Sequence, residues 1–437
     1  VTQLNSIRMA LLGTSASSLS AAFFTFISGV LVARVLGPEA RGDYGAALMM
    51  AQLAAAIGIL SFYDGAIVVL RRDNENPIQM LPTLTAGGIA ITLLTIAGGY
   101  LGYLFFHPDF SSLSRQAFLW FSVGVIAQNT IVTLLAAVER SRMSFTLVNY
   151  TRFIGPALFA LFIGAMWLLT GGAFQTLTAL LLFLASRVPF LMVWAWKYGR
   201  AYFGKISFGF ARDAFTTGIR LHGAVVLTVL ANQMDRILAF TSWDNAQLGY
   251  YFVAVSAVGA GYSVVTTAVR TVLFPYLAEK RSQQRTAEIA RLFRFATLLS
   301  IVFVLIGLVI LPFAVPLLYG QAYATAAQYA VALLLASAVL PINALTLEVG
   351  RASGIGRPSI QMAVVSLVII FAGFWLTGYE SPLTLILFVG ISRILSTVVG
   401  IWNVLRLEDF RVWHNLLPRT DDLRTLTRLI TRRTGSG

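Results

Sequence analysis

An all-α polytopic membrane fold follows from three features of the sequence. Only 11% of the 437 residues are charged and 57% are apolar, whereas a water-soluble chain of this size carries about 25% charged residues. Runs of roughly 20 apolar residues, each long enough to cross the hydrocarbon layer, recur from the N-terminal segment to about residue 405. Positive charges gather in every second gap between those runs.

The runs place about twelve spans, near 10–33, 44–70, 80–105, 117–138, 146–169, 173–196, 216–240, 246–269, 295–318, 322–347, 359–378 and 382–405. The first, beginning at Met9, exceeds a signal-peptide core and lacks a small-residue cleavage site, so it reads as a span. No segment is left for a large soluble domain. With the N-terminus inside, the inner segments hold 24 of the 32 Lys and Arg residues, while the outer loops hold only Arg34, Arg41 and Arg115. That asymmetry predicts two cytoplasmic termini and an even number of spans.

The outer loops are short, the longest running from about His107 to Gln116. The longer inner connections, 197–215 and 270–294, carry basic amphipathic stretches such as Glu288 to Arg294, which suit the headgroup boundary. For the basic tail, 406–437, an interfacial helix and an unstructured segment fit equally. With no cysteine there are no disulfides or thiolate metal sites. His107, His222 and His414 lie far apart, so no catalytic metal and no cofactor are expected. The net charge of +14 matches basic loops facing an anionic leaflet better than it matches nucleic acid.

The chain also repeats. Gly42 and Tyr44, leading into the second run, recur as Gly249 and Tyr251 before the eighth, an offset of 207. Leu182, Phe183, Ser186 and Arg187 in the sixth run recur as Leu387, Phe388, Ser392 and Arg393 in the twelfth, the arginines 206 apart. Two six-helix lobes, 1–205 and 206–405, with a basic tail at 406–437, follow from this. Because each half has an even number of spans, the repeats are parallel.

Ionisable side chains inside hydrocarbon cost roughly 2.5–3.5 kcal/mol on insertion scales, which makes each a functional candidate. Arg187 lies ten residues before Lys197 and Arg393 thirteen before Arg406, depths of about 15 and 19 Å at 1.5 Å per residue. Arg152 and Arg220 lie nearer the inner boundary, within reach of snorkelling, and Arg34 ends the first run. Arg236 accompanies Asp235 in the outer third of the seventh run, and Asp64 lies in the second. Five intramembrane arginines against these two acids describe a lumen suited to an anionic ligand such as phosphate or pyrophosphate. Asp64 and Asp235 are candidates for ion coupling or gating. Permanent Arg187–Asp64 and Arg393–Asp235 pairs that only join helices are the competing reading. Gln128, Asn129, Asn149, Asn232, Gln233 and Asn343 suit sugars and interhelical hydrogen bonds equally. Of the prolines inside runs, Pro189 is the candidate hinge.

The stretch from Val32 to Tyr44, with Arg34, Gly37, Pro38 and Gly42, resembles the first loop of bacterial polysaccharide flippases of the multidrug/oligosaccharidyl-lipid/polysaccharide exporter superfamily. Three later segments are similar too: Asn232 to Leu238 followed by Leu248 to Tyr251, Leu273 to Glu279, and Leu317 to Ala326. The resemblance covers nearly all of residues 8–405. It implies two lobes in a V around a central cavity, and alternating-access transfer of an undecaprenyl-pyrophosphate-linked oligosaccharide to the periplasmic leaflet of the bacterial inner membrane. It implies cationic cavity residues for the pyrophosphate, a role that Arg187 and Arg393 would fill, and coupling to membrane potential, Na+ or H+. Glycan polymerase or assembly proteins are the protein partners expected, and anionic lipids are the partners that the basic inner loops favour.

Two other classes compete. A drug/cation antiporter of the same superfamily would want an acidic cavity. A membrane-embedded glycan polymerase, ligase or glycosyltransferase would need catalytic acids or bases in a sizeable outer loop, or a Gly-rich phosphate loop. Neither feature is present in the sequence, which reads as a transporter and not an enzyme.

Overall fold

The computed structural model describes residues 2–106, 110–172, 174–278, 282–352 and 356–407. His107, His414 and the basic tail beyond 407 lie outside them. The described residues are almost wholly helical, with no strand among them. The helices are α1 (Thr2–Gly58), α2 (Phe62–Arg72), α3 (Leu81–Phe106), α4 (Arg115–Ser141), α5 (Thr146–Thr170), α6 (Thr176–Ala185) and α7 (Val188–Tyr198). They continue with α8 (Phe208–Ser242), α9 (Asn245–Ala278), α10 (Ser282–Tyr319), α11 (Ala324–Ala336), α12 (Leu340–Ala352), α13 (Arg357–Thr377) and α14 (Pro382–Leu407).

Among the described residues nine helical stretches are long and apolar enough to cross a membrane, ten with the bent α11–α12 pair. The first, Gly13–Arg72, contains two of the sequence-predicted runs, divided at Gly37 (φ 72°, ψ 175°). Pro38 follows it, so the chain turns where one residue can take positive φ and the next has no N–H to leave unpaired. Helix α9 covers the eighth run. Large apolar side chains stand open on the surface, Trp196, Phe203 and Trp375 each more than 80% exposed. A water-soluble protein rarely shows such apolar area, and a lipid-facing surface requires it.

Three runs that read as continuous are broken. The second stops at Gly58 and restarts at Phe62, with Leu60 and Ser61 at φ 52° and 51°. The sixth breaks at Ser186 and Arg187, between α6 and α7, and the tenth bends by 43° across Ser337. Apolar periodicity cannot register such breaks, because both arms of each helix remain hydrophobic. Two inner connections differ from expectation as well. Residues 208–215 form the first turns of α8, and the Glu288–Arg294 stretch forms part of α10. There Ile289 and Phe293 are buried beside Leu345, Val349 and Val404, so this face packs into the protein.

The packing divides the chain into two compact units: Val1–Ala260 with Val315–Ala326, and Gly261–Ala314 with Ala327–Gly437. In the first unit one apolar cluster joins Phe62, Tyr63, Leu84, Leu134 and Trp194, and another joins Val32, Tyr44, Phe118, Ile163 and Leu180. Lipid gives helices no hydrophobic reason to associate, so close packing does that work. Two crossings in this unit run backbone on backbone. A Cβ on Gly42 would sit 2.0 Å from the Asn245 carbonyl oxygen, and one on Gly249 1.9 Å from that of Pro38. Likewise a Cβ on Gly65 would meet the Ala214 carbonyl at 2.1 Å, and one on Gly218 that of Ser61 at 2.5 Å. The Ser61 hydroxyl also shares a hydrogen bond of 3.2 Å with His222 Nδ1.

Buried polar groups finish this unit. Asp43 is fully buried and accepts bonds from the Ser111 hydroxyl (3.0 Å) and from Ser112 N (2.6 Å) and Oγ (2.7 Å), which ties the approach to α4 onto α1. Glu139 accepts from Lys197 Nζ at 2.6 Å and from the Tyr198 hydroxyl, which joins the ends of α4 and α7. In the second unit α13 packs along α14, and the Tyr262 hydroxyl donates to the Leu334 carbonyl at 3.2 Å. The repeat extends into local structure: Gly171 and Gly378, again 207 apart, end α5 and α13 in left-handed geometry.

Candidate functional site

A cavity of about 450 Å³ opens within the first unit. Its wall comes from α1 (Gln52, Leu53, Ala55, Ala56), α4 (Val125, Gln128, Asn129, Val132), α8 (Val229, Asn232, Gln233) and the α6–α7 break (Phe183, Arg187). Gln52 stands alone in an apolar stretch, and the others come as adjacent pairs, Gln128 with Asn129 and Asn232 with Gln233. Three helices turn those five amides toward one space, which also receives one guanidinium. No carboxylate among the described residues lines it.

The break in the sixth run positions Arg187. Helix α6 stops at Ala185 and Pro189 stands at the start of α7, so Arg187 occupies the corner between two helical ends. Its guanidinium carbon lies 5.3 Å from the Phe183 ring centroid, within cation–π range. Gly155 on α5 makes the room, since a Cβ there would stand 2.8 Å from Arg187 Nε. That Nε–H is buried without a hydrogen-bond partner, and Arg187 forms no ion pair among the described residues. The Gln128 amide nitrogen is also buried without a partner. Gln233 is oriented from outside the cavity, because its Oε1 accepts from Arg236 Nη1 at 2.7 Å and its NH2 is left over.

The remaining sequence candidates are dispersed. Asp64 is exposed on α2 and makes no ion pair with Arg187 among the described residues. Asp235 is buried and accepts from the Tyr251 hydroxyl at 2.7 Å, which links α8 to α9. Arg152 donates to Ser18 Oγ at 2.9 Å, and Arg220 is exposed on α8. Arg34 donates to the carbonyls of Leu317 and Leu318, both at 2.6 Å, so it caps the end of α10. Beside it the Tyr323 hydroxyl donates to the Ala33 carbonyl at 2.9 Å.

In the second unit Arg393 lies on the continuous helix α14 and donates from Nη1 to Ser337 Oγ at the α11–α12 break. Asp235 and Arg393 belong to different units. Asn343 donates weakly toward Ser396 and Thr397, a helix-to-helix role, while Gln128, Asn129, Asn232 and Gln233 line the cavity. Gln52 was not singled out by the sequence, though it carried a usable signal as the only amide within the apolar stretch 45–60. Phe183 was marked only as part of the repeat that contains Arg187.

A family of polysaccharide biosynthesis proteins matches residues 30–328, about two thirds of the chain. The chain belongs to that family. Among solved structures it is similar to the inward-facing conformation of a multidrug resistance MATE family transporter of the MOP superfamily. The TM-score is 0.68 at 13% identity, covering 93% of this chain and 100% of the other. The lipid II flippase MurJ in an inward closed conformation gives 0.67 at 12% identity, covering 90% and 87%. A MOP superfamily transporter from Pyrococcus furiosus, described as having a binding pocket of reversed polarity, gives 0.60 at 15% identity, covering 92% and 96%. Comparison with curated proteins gives no match. These likenesses show a MATE- and MurJ-like transporter fold, and with the apolar helices and the family match they indicate a multi-pass membrane protein.

Proposed function

We propose that this chain is a flippase that carries a lipid-linked oligosaccharide, joined to its polyprenol through pyrophosphate, from the cytoplasmic to the periplasmic leaflet of a bacterial inner membrane. The observation that carries the reading is Arg187, a guanidinium deep in an apolar helix bundle with a buried, unpartnered Nε–H in a cavity free of carboxylates among the described residues. An arginine in hydrocarbon is costly and is normally satisfied by a partner. Here the missing partner is supplied by an anionic ligand, for which guanidinium geometry is well matched. The family match and the likeness to MurJ support the substrate class.

The asymmetry of the basic residues supports two cytoplasmic termini, and the 207-residue repeat supports two lobes working by alternating access, with the boundary near residue 205. Membrane potential or an ion gradient drives the cycle, with Asp64 and Asp235 as the acids available to sense it. Arg393, the counterpart of Arg187 in the sequence repeat, is proposed as a second substrate-binding cation. A cation antiporter is disfavoured by the cavity wall, whose charged group is a guanidinium.

The test uses proteoliposomes carrying a fluorescent polyprenyl-pyrophosphate oligosaccharide and measures the fraction reaching the opposite leaflet. Arg187→Ala and Arg393→Ala are expected to insert normally and to lower that rate at least tenfold. Normal transfer by both variants would remove these assignments, and no transfer by the parent protein would remove the function.

A further inference from the structure

We infer that the Arg187 cavity reads one sugar ring carrying a single negative charge, and does not serve as the seat of the whole pyrophosphate. This rests on the transport reading above and adds the ligand chemistry to it. The argument begins with what the wall offers. Every carboxamide has both donors and acceptors, and Gln52, Gln128, Asn129, Asn232 and Gln233 bring five of them into one cavity with one guanidinium. A pyrophosphate diester has acceptors only, carries charge on each phosphorus, and is matched by several cations. The amide carbonyls of this wall would face it unfavourably. A sugar hydroxyl is donor and acceptor at once, so neighbouring hydroxyls pair with amides in both senses. The single cation then leaves a place for a single anionic group.

The orphaned groups point the same way. Arg187 Nε–H and the Gln128 amide N–H are buried donors with no acceptor, a deficit that an oxygen-rich ligand fills. The Gln233 carbonyl is already occupied by Arg236, so its free NH2 adds a third donor. Phe183 offers an aromatic wall beside the guanidinium for the C–H face of a sugar ring. Leu53, Val125, Val132 and Val229, with two alanines, supply the rest of the wall. A few placed polar groups on an apolar wall are typical of small-molecule sites, and about 450 Å³ lies within the usual range of roughly 300–1,000 Å³. The charge belongs either to a carboxylate on the sugar or to the phosphate that joins the first sugar to the lipid; both present an oxyanion on a polyhydroxylated ring.

Saturation-transfer NMR on the full protein in nanodiscs, titrated with glucose, glucuronate, glucose 1-phosphate and inorganic pyrophosphate, tests the assignment. At least one of the two charged sugars should bind tenfold or more tightly than either glucose or pyrophosphate. Which of them binds better identifies the source of the charge. Arg187→Gln should lower charged-sugar binding to the level of glucose, and Asn232→Leu should weaken all three sugars while leaving pyrophosphate unchanged. Both variants are checked first for parental thermal stability, with Gln128→Leu replacing either one that falls short. Pyrophosphate binding as tightly as the charged sugars, no sugar binding, or sugar binding insensitive to the amide substitutions would overturn the inference. Such results alongside normal flipping would leave the transport reading standing, whereas sugar binding without flipping would remove the transport reading alone.

Discussion

Gly249 and Gly42 face each other where the start of α9 crosses the α1 segment after Pro38, and replacing either with alanine gives a sharp test of that packing. The Cβ of Gly249→Ala would lie 1.9 Å from the Pro38 carbonyl oxygen and 3.2 Å from Gly42 N. Ordinary contact begins at 3.4 Å, so the two backbones must part by 1.5 Å. Neither is the flexible end of a side chain, and overpacking of this kind costs about 1–3 kcal/mol. Against it stands the gain of alanine over glycine inside a helix, at most about 1 kcal/mol. At a mid-range clash of about 2 kcal/mol the net loss is about 1 kcal/mol or more, and the displacement also loosens the Asp235–Tyr251 bond two residues along α9. Gly98→Ala and Gly102→Ala on α3 are the controls, because nothing lies within 4 Å of either new Cβ. In thermal unfolding followed by fluorescence-detected size exclusion, Gly249→Ala and Gly42→Ala should melt below the parent and the α3 variants at or above it. A Gly249→Ala protein that melts at or above the parent would refute the backbone crossing.

Three further outcomes follow from the same packing. Lys197→Met leaves the fully buried Glu139 carboxylate without its cation and should cost about 2–4 kcal/mol, discounted because Lys197 is partly exposed; the double variant with Glu139→Gln should recover most of it in the same melting assay. Leu60→Gly relieves a left-handed backbone at a non-glycine residue and should raise stability by up to about 1 kcal/mol, whereas a drop would mean that the break in the second span is not held as described. Gly155→Val sets side-chain bulk against Arg187 Nε, 2.8 Å from the Cβ position, and should depress transport about as much as Arg187→Ala while membrane insertion, read by protease accessibility, stays normal.

Much of this architecture was legible because hydrocarbon imposes a simple rule. Every backbone polar group must be paired within its own segment, so a long apolar run is a helix, and twelve such runs reappear as helices. The repeat was legible as well, yet its physical meaning was not. Gly42 and Gly249 recur at equal spacing because each leaves space for the other's strand of backbone, a fact visible only once both helices are placed. Hydropathy did not register the breaks at Ser61, Arg187 and Ser337, since it records burial in lipid and not the hydrogen bonds of a single turn. Pro189 marked the vicinity of one of them.

The candidate site divides along similar lines. Arg187 was found because a guanidinium so far from a loop is costly, and depth can be counted along a helix. That count could not tell Arg187, which meets the cavity, from Arg34, which caps α10, or Arg152, which bonds Ser18. Rotation about the helix axis decides those roles, and it is set by packing. For the amides the missing information was convergence: Gln52, Gln128 and Asn232 come from three separate helices.

Because the chain contains no cysteine, Asn232→Cys would place a single thiol on the cavity wall, and its rate of maleimide labelling in proteoliposomes reports directly on what fills the space beside Arg187. Lipid-linked oligosaccharide should slow that labelling several-fold in the Asn232→Cys protein, and the protection should vanish when Arg187→Gln is added. Labelling that proceeds at one rate with and without the glycolipid, in a protein that still transports it, would mean that the headgroup passes elsewhere.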